Sequence, residues 1–488
     1  MSPSTTVLMI IFFFLIIPLI LAEFARVKSV PTLEDFFLQS RKMPAVMVFF
    51  TVYSTWISVF AFLGASSYFY AKGPVYMTTI AWDVLFGLLF MIIGTRIWQY
   101  GKARHYITPV ELFDDVFSYK PLTVLITVVM FSFTIPYLQI QLSGGAYLIE
   151  IATGGLIPME ICGLIFYLII IIYLWSGGLR AVALADVLYG SLVFLSMFAV
   201  GFYLISQSGG LEHTFQQIYH NSPENLMLPG PSGDAGPLLW ISLFITVPVG
   251  ALMGPQIWLR YFAVEKKKTF KIIPLLICLV SIQTIGTVLS GIAGIVLIPG
   301  IKESDKILPL LLLDYCTPVL ATIFFCGIAS AALSTANSQI HAAAAMYTID
   351  IHRRYINGNA SEQHLVIVGK WAVLIISMCA YVMLFTNTGL LIDIGTVALG
   401  GTAQIFPLTI GLLFWQRSNA KAGAVGLLSG VLLLLSFAFF VDLPASYGAF
   451  LGLTLNIFIF TAGSFILPVN QKSKDKINKY KIEYEHSK

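Results

Sequence analysis

The sequence predicts an all-α polytopic membrane protein with about 13 transmembrane helices. Hydrophobic residues make up 58% of the 488-residue chain and charged residues only 11%, whereas a soluble domain carries roughly a quarter charged residues. About thirteen apolar stretches are long enough to cross a bilayer. The whole chain, residues 1–488, is therefore predicted to form a single transmembrane domain without a sizeable soluble part.

The apolar stretches follow one another along the chain. They lie near residues 5–22, 44–70, 76–98, 121–151, 158–175, 184–206, 238–258, 272–299, 308–349, 365–385, 388–414, 422–441 and 446–467. Several exceed the roughly 20 residues that a bilayer requires, so tilted or broken helices are expected. The first stretch has no basic leader and no small-residue cleavage site, so we interpret it as a retained helix rather than a signal peptide.

The distribution of Lys and Arg predicts the topology. With the N-terminus outside, all but three of the 28 Lys and Arg residues fall on the inside, the exceptions being Lys72, Lys302 and Lys306. Cytoplasmic loops carry such an excess. We therefore predict a plasma (inner) membrane protein with a cytoplasmic C-terminus, whose net charge of +4 reflects topology rather than nucleic-acid binding. The polar tail 470–488 is predicted to be solvated and partly disordered.

The reactive side chains do not suggest an enzyme. The five cysteines show no CxxC spacing, so neither a disulfide framework nor a zinc site is indicated. The sequence contains no HExxH and no paired intramembrane His with Asp or Glu, and we interpret the isolated His341 as a packing or interfacial histidine. We predict a protein that is not an enzyme and that needs no cofactor beyond a coupling ion.

A stripe of small and hydroxyl residues runs along the ninth stretch. Ala331, Ser334, Thr335 and Ser338 share one helical face because they are spaced at i, i+3, i+4 and i+7. Small residues let neighbouring helices pack closely. Aligned oxygens would also suit a hard cation such as Na⁺, and the stripe alone leaves both interpretations open.

Two spans are interrupted at corresponding positions. Ser and Thr cluster at 54–58 in the second span, and the seventh span contains Pro248, Gly250, Gly254 and Pro255. Proline removes a backbone donor, and freed carbonyls are tolerated at membrane depth only where they meet a cavity or a partner. Because the two spans are five apart, we predict two inverted five-helix repeats with a central site, about 44–206 and 238–414. A proline kink in an ordinary bundle is the alternative.

Four stretches between about residues 30 and 435 carry sequence motifs found in a known protein family. The segment 177–186 resembles GG-x-x-AV-x-x-x-D, and 331–339 resembles A-x-x-S-T-x-x-S-Q. The segment 404–426 resembles Q-x-x-P…FW-x-R-x-N…GA-x-x-G, and Gly254-Pro255 with Arg260 resembles the first broken helix of the second repeat. Together, in this order, the four stretches resemble the sodium:solute symporter family. The resemblance implies a LeuT-type core and symport driven by the inward Na⁺ gradient.

The resemblance also implies the ion ligands. The main sodium site would consist of carbonyls from Ser54, Ile57 and Ala331 and hydroxyls from Ser334 and Thr335. A second sodium, bound by some family members, would lie near Asp186, Asn337 and Ser338, although Asn337 stands where a hydroxyl or carboxylate is often found. Asp186 could instead pair with Arg180 at the inner surface.

A small organic solute is expected to bind beside the sodium site. The classes considered are an amino acid, a pantothenate-like compound and a short carboxylate. Polar or aromatic candidates to contact it are Trp56, Ser58, Trp82, Asp83, Tyr137, Gln141, Gln256 and Gln404. No basic residue is expected mid-membrane in these spans. Asp83 is either a cavity residue that favours cationic or hydrogen-donating solutes or a hydrated aspartate of the outer vestibule.

Two other functions compete with sodium-coupled import. A proton-coupled carrier on the same fold would need a titratable ligand, which Ser334 and Thr335 do not offer. A transporter-like nutrient sensor would usually carry a signalling domain, for which the polar tail is short. The expected partners are Na⁺, a small-molecule solute and the lipid bilayer, with no nucleic acid.

Overall fold

The computed structural model describes residues 3–27, 30, 32–385 and 391–486, and helices dominate it. The first nine α-helices are α1 (Pro3–Val27), α2 (Leu33–Leu38), α3 (Ala45–Trp56), α4 (Val59–Lys72), α5 (Thr79–Arg104), α6 (Pro109–Phe117), α7 (Lys120–Ala152), α8 (Met159–Gln207) and α9 (Leu211–Asn221). Lys28 and Lys488, both assigned to the inside, and residues 388–390 of the predicted eleventh span lie outside the described residues.

Twelve further α-helices follow. They are α10 (Pro237–Met253), α11 (Pro255–Ala263), α12 (Thr269–Val280), α13 (Thr284–Leu297), α14 (Ile307–Tyr315), α15 (Pro318–Met346), α16 (Glu362–Met383), α17 (Leu391–Ala403), α18 (Phe406–Phe414), α19 (Ala420–Phe440), α20 (Ala445–Ile466) and α21 (Gln471–His486). A π-helical stretch, Tyr347–Ile356, continues α15. The described part of the chain contains no strand.

The predicted spans coincide with helices or helix pairs. Among the described residues, nine helical stretches are long and apolar enough to cross a membrane, or ten if the bent pair α10–α11 is one span. One of them, Ala45–Arg104, has 60 residues, and as a single helix it would be about 90 Å long, three times the bilayer core. This stretch therefore contains the second and third predicted spans. The ninth span is shorter than predicted, because residues 308–315 belong to the separate helix α14.

Both predicted interruptions are present. The α-helix α3 ends at Trp56, and Ile57 (φ −84°, ψ 95°) and Ser58 (φ −106°, ψ −175°) are extended before α4 begins. In the second repeat, α10 and α11 are bent by 53° at Gly254. Pro255 occupies the first position of α11, where its missing N–H costs no helical hydrogen bond.

The broken helices lie in the interior of the bundle. Of the most apolar part of the α15 span, 83% is buried, compared with 33% for α19 and for α20. The helix α3 packs on α8, α11, α12 and α15, while α10 packs on α5, α17 and α20. The two breaks are therefore enclosed by protein, and α19 and α20 lie at the periphery.

A glycine in α8 lets the segment before α3 approach this bundle. Gly178 has a φ of +54°, which favours glycine, and a Cβ at this position would lie 2.8 Å from the Phe36 carbonyl oxygen. Two residues further on, Arg180 forms an ion pair of 3.0 Å with Asp35 of α2. The GG motif thus holds α2 against one end of the bundle.

The polar tail is a docked helix, which corrects the prediction of a solvated and partly disordered end. In α21, Ile477 and Tyr480 are buried, and the Tyr480 ring stacks on Tyr100 with centroids 4.4 Å apart. Lys476 Nζ lies 2.8 Å from an Asp115 carboxylate oxygen. The alternating charges and aromatic residues of the tail therefore find partners on α5 and α6 instead of remaining in water.

Candidate functional site

The hydroxyl face of α15 meets the break after α3. Ser334 Oγ donates to the Ser54 carbonyl at 2.8 Å and also lies 3.2 Å from the Ala331 carbonyl. Thr335 Oγ1 lies 3.2 Å from the same Ser54 oxygen and 3.3 Å from the Thr55 oxygen. All five residues are buried. Four of the five predicted sodium ligands are therefore linked by contacts of 3.3 Å or less.

The oxygens at this point suit a hard cation. Ile57, the fifth predicted ligand, is extended at the end of α3, so its carbonyl is not held in the helical direction. The Thr55 carbonyl is a further oxygen that sequence reasoning missed. A hydroxyl that donates to a carbonyl keeps its lone pairs for a cation, and Na⁺ resembles other hard cations in preferring oxygen ligands.

Asp186 lies in a buried polar cluster with Arg260 rather than with Arg180. The Asp186 carboxylate lies 4.0 Å from Arg260 Nη2, and both side chains are fully buried. Thr51 donates to Asp186 and is itself 3.2 Å from Arg260 Nη2. Arg260, which the sequence assigns to the inside after the seventh span, is buried, because α11 stays buried through Ala263.

The residues of the predicted second sodium site are largely engaged by protein. Ser338 Oγ accepts from Arg260 Nη2 at 2.5 Å and lies 2.8 Å from Thr55 Oγ1. Asn337 is buried on the same helix. The guanidinium supplies positive charge beside Asp186, where a second ion would otherwise supply it. The second sodium stays a prediction.

A cavity of only about 10 Å³, room for a single water molecule, lies at the break between α10 and α11. Its walls are formed by Phe133, Thr134, Tyr137, Gly254, Gln256, Gln339, Ala398, Leu399 and Thr402. Two predicted solute residues, Tyr137 and Gln256, are among them, and none of these lining residues is charged. Because ligand pockets usually measure roughly 300–1,000 Å³, the cavity must widen to accept a solute.

Ser58 and Gln141 support one wall of this cavity. Ser58 Oγ lies 3.2 Å from the Tyr137 hydroxyl. The Gln141 amide donates to the Tyr137 carbonyl at 3.2 Å and accepts from the Val59 N–H at 3.3 Å. The two predicted residues therefore position Tyr137 and the start of α4.

Trp56, Trp82 and Asp83 belong to a cluster beside the α3 break. Trp56 Nε1 donates to the Asp83 carboxylate. Trp82 stacks on Phe60 at 6.0 Å, and Phe60 meets Tyr137 edge to face at 6.4 Å. The cluster thus reaches the cavity wall through Phe60 and Tyr137.

Gln404 is not brought to the cavity. Its amide donates to the carbonyls of Gly400 and Ala449 at 3.2 and 3.1 Å. Asn456 of α20 donates to the Gln404 backbone carbonyl at 2.6 Å. Gln404 therefore joins the end of α17 to α20.

Six cavity residues were missed by sequence reasoning, namely Phe133, Thr134, Gln339, Ala398, Leu399 and Thr402. Gln339 lies four residues after Thr335 and so shares the face of the hydroxyl stripe, which was an available signal. Phe133 precedes Tyr137 by the same interval. Thr402 donates to the Gly250 carbonyl of α10 at 2.8 Å, a contact that no sequence pattern indicates.

The end of the bundle that holds α2 is closed by side chains. Arg41 Nη2 donates to the Tyr106 carbonyl at 2.8 Å, and Arg41 also pairs with Glu34. His341 lies against Phe36 and Phe37, with ring centroids 5.5 and 5.3 Å apart. This is the packing position predicted for that histidine.

Comparisons with known proteins agree with the geometry. A model of the sodium:solute symporter family matches residues 36–432. The sodium/pantothenate symporter of Escherichia coli (strain K12) is 26% identical over 411 residues, which are 82% of this chain and 83% of that protein. Sodium/proline symporter 2 of Staphylococcus saprophyticus is 25% identical over 468 residues, covering 92% and 89% of the two chains.

Solved structures show the same fold. A Na⁺-coupled sialic acid symporter in a substrate-bound outward-open state has a TM-score of 0.81 at 18% identity, covering 95% of this chain and 98% of that one. Mhp1, a nucleobase-cation-symport-1 family transporter, has a TM-score of 0.55 at 14% identity, covering 91% and 98%. The predicted LeuT-type fold is confirmed. Since the family match spans most of its length, this chain, an integral membrane protein, belongs to the sodium:solute symporter family.

Proposed function

We propose that this protein imports a small organic solute by sodium-coupled symport and alternating access. The observation that carries the proposal is the convergence of the Ser334 and Thr335 hydroxyls on the Ser54 carbonyl, where α3 is broken. Membership of the family supports sodium coupling, and two relatives are symporters of pantothenate and of proline.

The oxygen ligands predicted at this position support sodium rather than a proton as the coupling ion. The ligand side chains are hydroxyls, which do not titrate near neutral pH. The nearby carboxylate of Asp186 is already beside the Arg260 guanidinium. Proton-coupled transport and a sensor role are therefore the weaker alternatives, and no cofactor besides Na⁺ is required.

The solute class is an amino acid, a pantothenate-like compound or a short carboxylate. The uncharged polar and aromatic lining of the cavity between α7, α11, α15 and α17 supports a small solute, and the cavity must open during the transport cycle to hold one. The asymmetry of Lys and Arg supports a plasma (inner) membrane protein with its N-terminus outside and α21 in the cytoplasm. The proposed protein is a transporter, and neither an enzyme nor a nucleic-acid-binding protein.

Uptake into proteoliposomes tests the proposal. We expect radiolabelled pantothenate, proline or a short carboxylate to accumulate under an inward Na⁺ gradient and not when choline replaces Na⁺. Liposomes without protein provide the control. Uptake driven equally well by a proton gradient in Na⁺-free buffer would contradict sodium coupling.

A further inference from the structure

Two glutamines of the central cavity have amide atoms without hydrogen-bond partners among the described residues. Gln339 is 0% exposed, and neither its Nε2 nor its Oε1 has a partner. Gln256 is 5% exposed, and its Oε1 also lacks one. Buried polar atoms in proteins are nearly always satisfied by protein or by ordered water, so these three atoms are available to bind a ligand or the water that it displaces.

The fold directs both amides to the same cavity. Gln256 folds back over the first residue before its own helix, since a Cβ on Gly254 would lie 2.5 Å from Gln256 Nε2. The bare glycine therefore gives the amide its room. Gln339 lies one turn beyond Thr335 on α15, so it connects the cavity to the helix that carries the sodium ligands.

We propose that Gln256 and Gln339 bind an uncharged hydroxyl or amide group of the transported solute. Gln339 offers a donor and an acceptor whichever way its amide is turned, because both of its polar atoms are unpartnered. Gln256 adds an acceptor. None of the cavity-lining residues is charged, so an uncharged polar group can form hydrogen bonds there without leaving a buried charge unpaired. The inference deepens the proposed symport function and rests on it.

The rest of the wall narrows the solute class. Phe133, Tyr137, Ala398 and Leu399 present aromatic and aliphatic surface beside the two amides. A hydroxylated amide with an apolar portion, such as pantothenate, combines the groups that this wall can contact. Proline, whose polar groups are both charged, offers no neutral group for the amide pair.

A binding experiment on the purified full chain separates these possibilities. Affinities for D-pantothenate, for its neutral analogue D-panthenol and for L-proline are measured by thermal shift in NaCl and in choline chloride. We expect D-pantothenate and D-panthenol to bind in NaCl. We expect Gln339→Met to lower the affinity for each of these two ligands by at least tenfold. Gln256→Met should do the same, and Gly254→Ala should reproduce part of the loss because it displaces the Gln256 amide.

Two controls distinguish a loss of solute binding from a loss of folding. Gln139→Met removes a buried amide from α7 that donates to the Met383 carbonyl at 2.9 Å, outside the residues that line the cavity, and should leave both affinities unchanged. Thermal stabilisation by Na⁺ alone should persist in every variant.

Three results would overturn the inference: unchanged affinity in Gln339→Met, a loss confined to pantothenate and absent for panthenol, or no binding of either amide by the wild-type protein in both salts. Binding of pantothenate and panthenol that depends on Gln339 but is equal in NaCl and choline chloride would support the proposed role of Gln339. The same result would contradict sodium coupling.

Discussion

Ser334 and Thr335 each hold a hydroxyl against a carbonyl of the broken second span. Both contacts converge on Ser54, so the two side chains act at one point rather than along the length of α15. Ser and Thr hydroxyls can also join packed helices by such bonds, so a change in Na⁺ dependence is the property that distinguishes an ion site from packing. The ion affinity of the protein is expected to depend on this pair of residues.

Removal of both hydroxyls should weaken Na⁺ binding. We expect Ser334→Ala combined with Thr335→Ala to raise the Na⁺ concentration for half-maximal uptake at least tenfold, because the loss of two ligands costs more than about 1.4 kcal/mol, the value of one decade. Na⁺ titration of uptake in proteoliposomes measures this. Thr322→Ala is the control, since that hydroxyl donates to the Pro318 carbonyl on an exposed part of the same helix. Unchanged Na⁺ dependence at normal expression would show that the pair only packs α15.

Asp186 and Arg260 should behave as an energetically coupled pair. We expect Asp186→Asn alone to destabilise the protein by about 3–5 kcal/mol, because it leaves a buried guanidinium without its carboxylate. Asp186→Asn with Arg260→Gln should destabilise it less than the sum of the two single changes. Thermal or denaturant unfolding of the purified variants measures the coupling, with Arg180→Gln as the control that leaves the pair intact. Additive effects of the two changes would contradict the pairing.

Asp83 should act through Trp56. Because the Trp56 indole donates to the Asp83 carboxylate, Asp83→Asn keeps an acceptor and we expect the solute KM to change by no more than about twofold. Asp83→Ala leaves the buried indole N–H without an acceptor, which costs roughly 1–3 kcal/mol, so its KM should rise by about tenfold. Uptake kinetics at normal expression provide the measurement. If both variants keep the wild-type KM, Asp83 has no influence on the cavity.

At the scale of elements, the helix α21 is packed against the protein although its polar composition predicts a solvated segment. Its polar sequence predicts a solvated tail, yet Tyr480 donates to Asp115 and stacks on Tyr100. Burial tends to raise the pKa of Asp115, but hydrogen bonds from Lys476, Tyr106 and Tyr480 outweigh it and hold the pKa below its usual value. The ionised form of Asp115 therefore stabilises the docked tail.

The direction in which the pKa of Asp115 is shifted determines how the docking of α21 depends on pH. Since the pKa in the docked state lies below the ordinary value of 3.8, the stabilisation is complete above that value and disappears only as the pH falls through the docked-state pKa. We expect the tail to resist proteolysis equally from pH 8 to pH 5, and Asp115→Asn to make it sensitive throughout. Asp475→Asn, which removes an exposed carboxylate that bonds within the tail, is the control. Tail cleavage that increases between pH 8 and pH 5 would contradict this account.

Some helix boundaries could be predicted from the local sequence, and others could not. The 53° bend at Gly254 was predictable because glycine and proline adjoin there. The division between α14 and α15 was not, because residues 308–349 form one long apolar run. Pro318 starts α15 at the first position of the helix, but this is a weak signal because the same run contains Pro309, which lies within α14.

At the scale of the whole molecule, the predicted sodium ligands and the central cavity share α15. Ser334 and Thr335 face the α3 break, and Gln339 lines the cavity at the α10–α11 break one turn away. One buried helix therefore borders the interruptions of both repeats, as expected where repeats meet around a central site. This arrangement allows the ion and the solute to favour the same conformation of the bundle.

The sequence by itself determined the membrane class, the positions of the spans and the two breaks, because apolar run length, Lys and Arg placement, and proline with glycine are local properties. Through its resemblance to a family it also indicated Ser54, Ala331, Ser334 and Thr335, which the structure brings together and which we predict to bind sodium. Only the tertiary structure decided which distant polar groups became partners: Arg260 with Asp186, Gln404 with α20, and Gln339 with Gln256 around one cavity. The physical reason is that these partnerships depend on the depth and rotation of each packed helix, which spacing along a single chain does not specify.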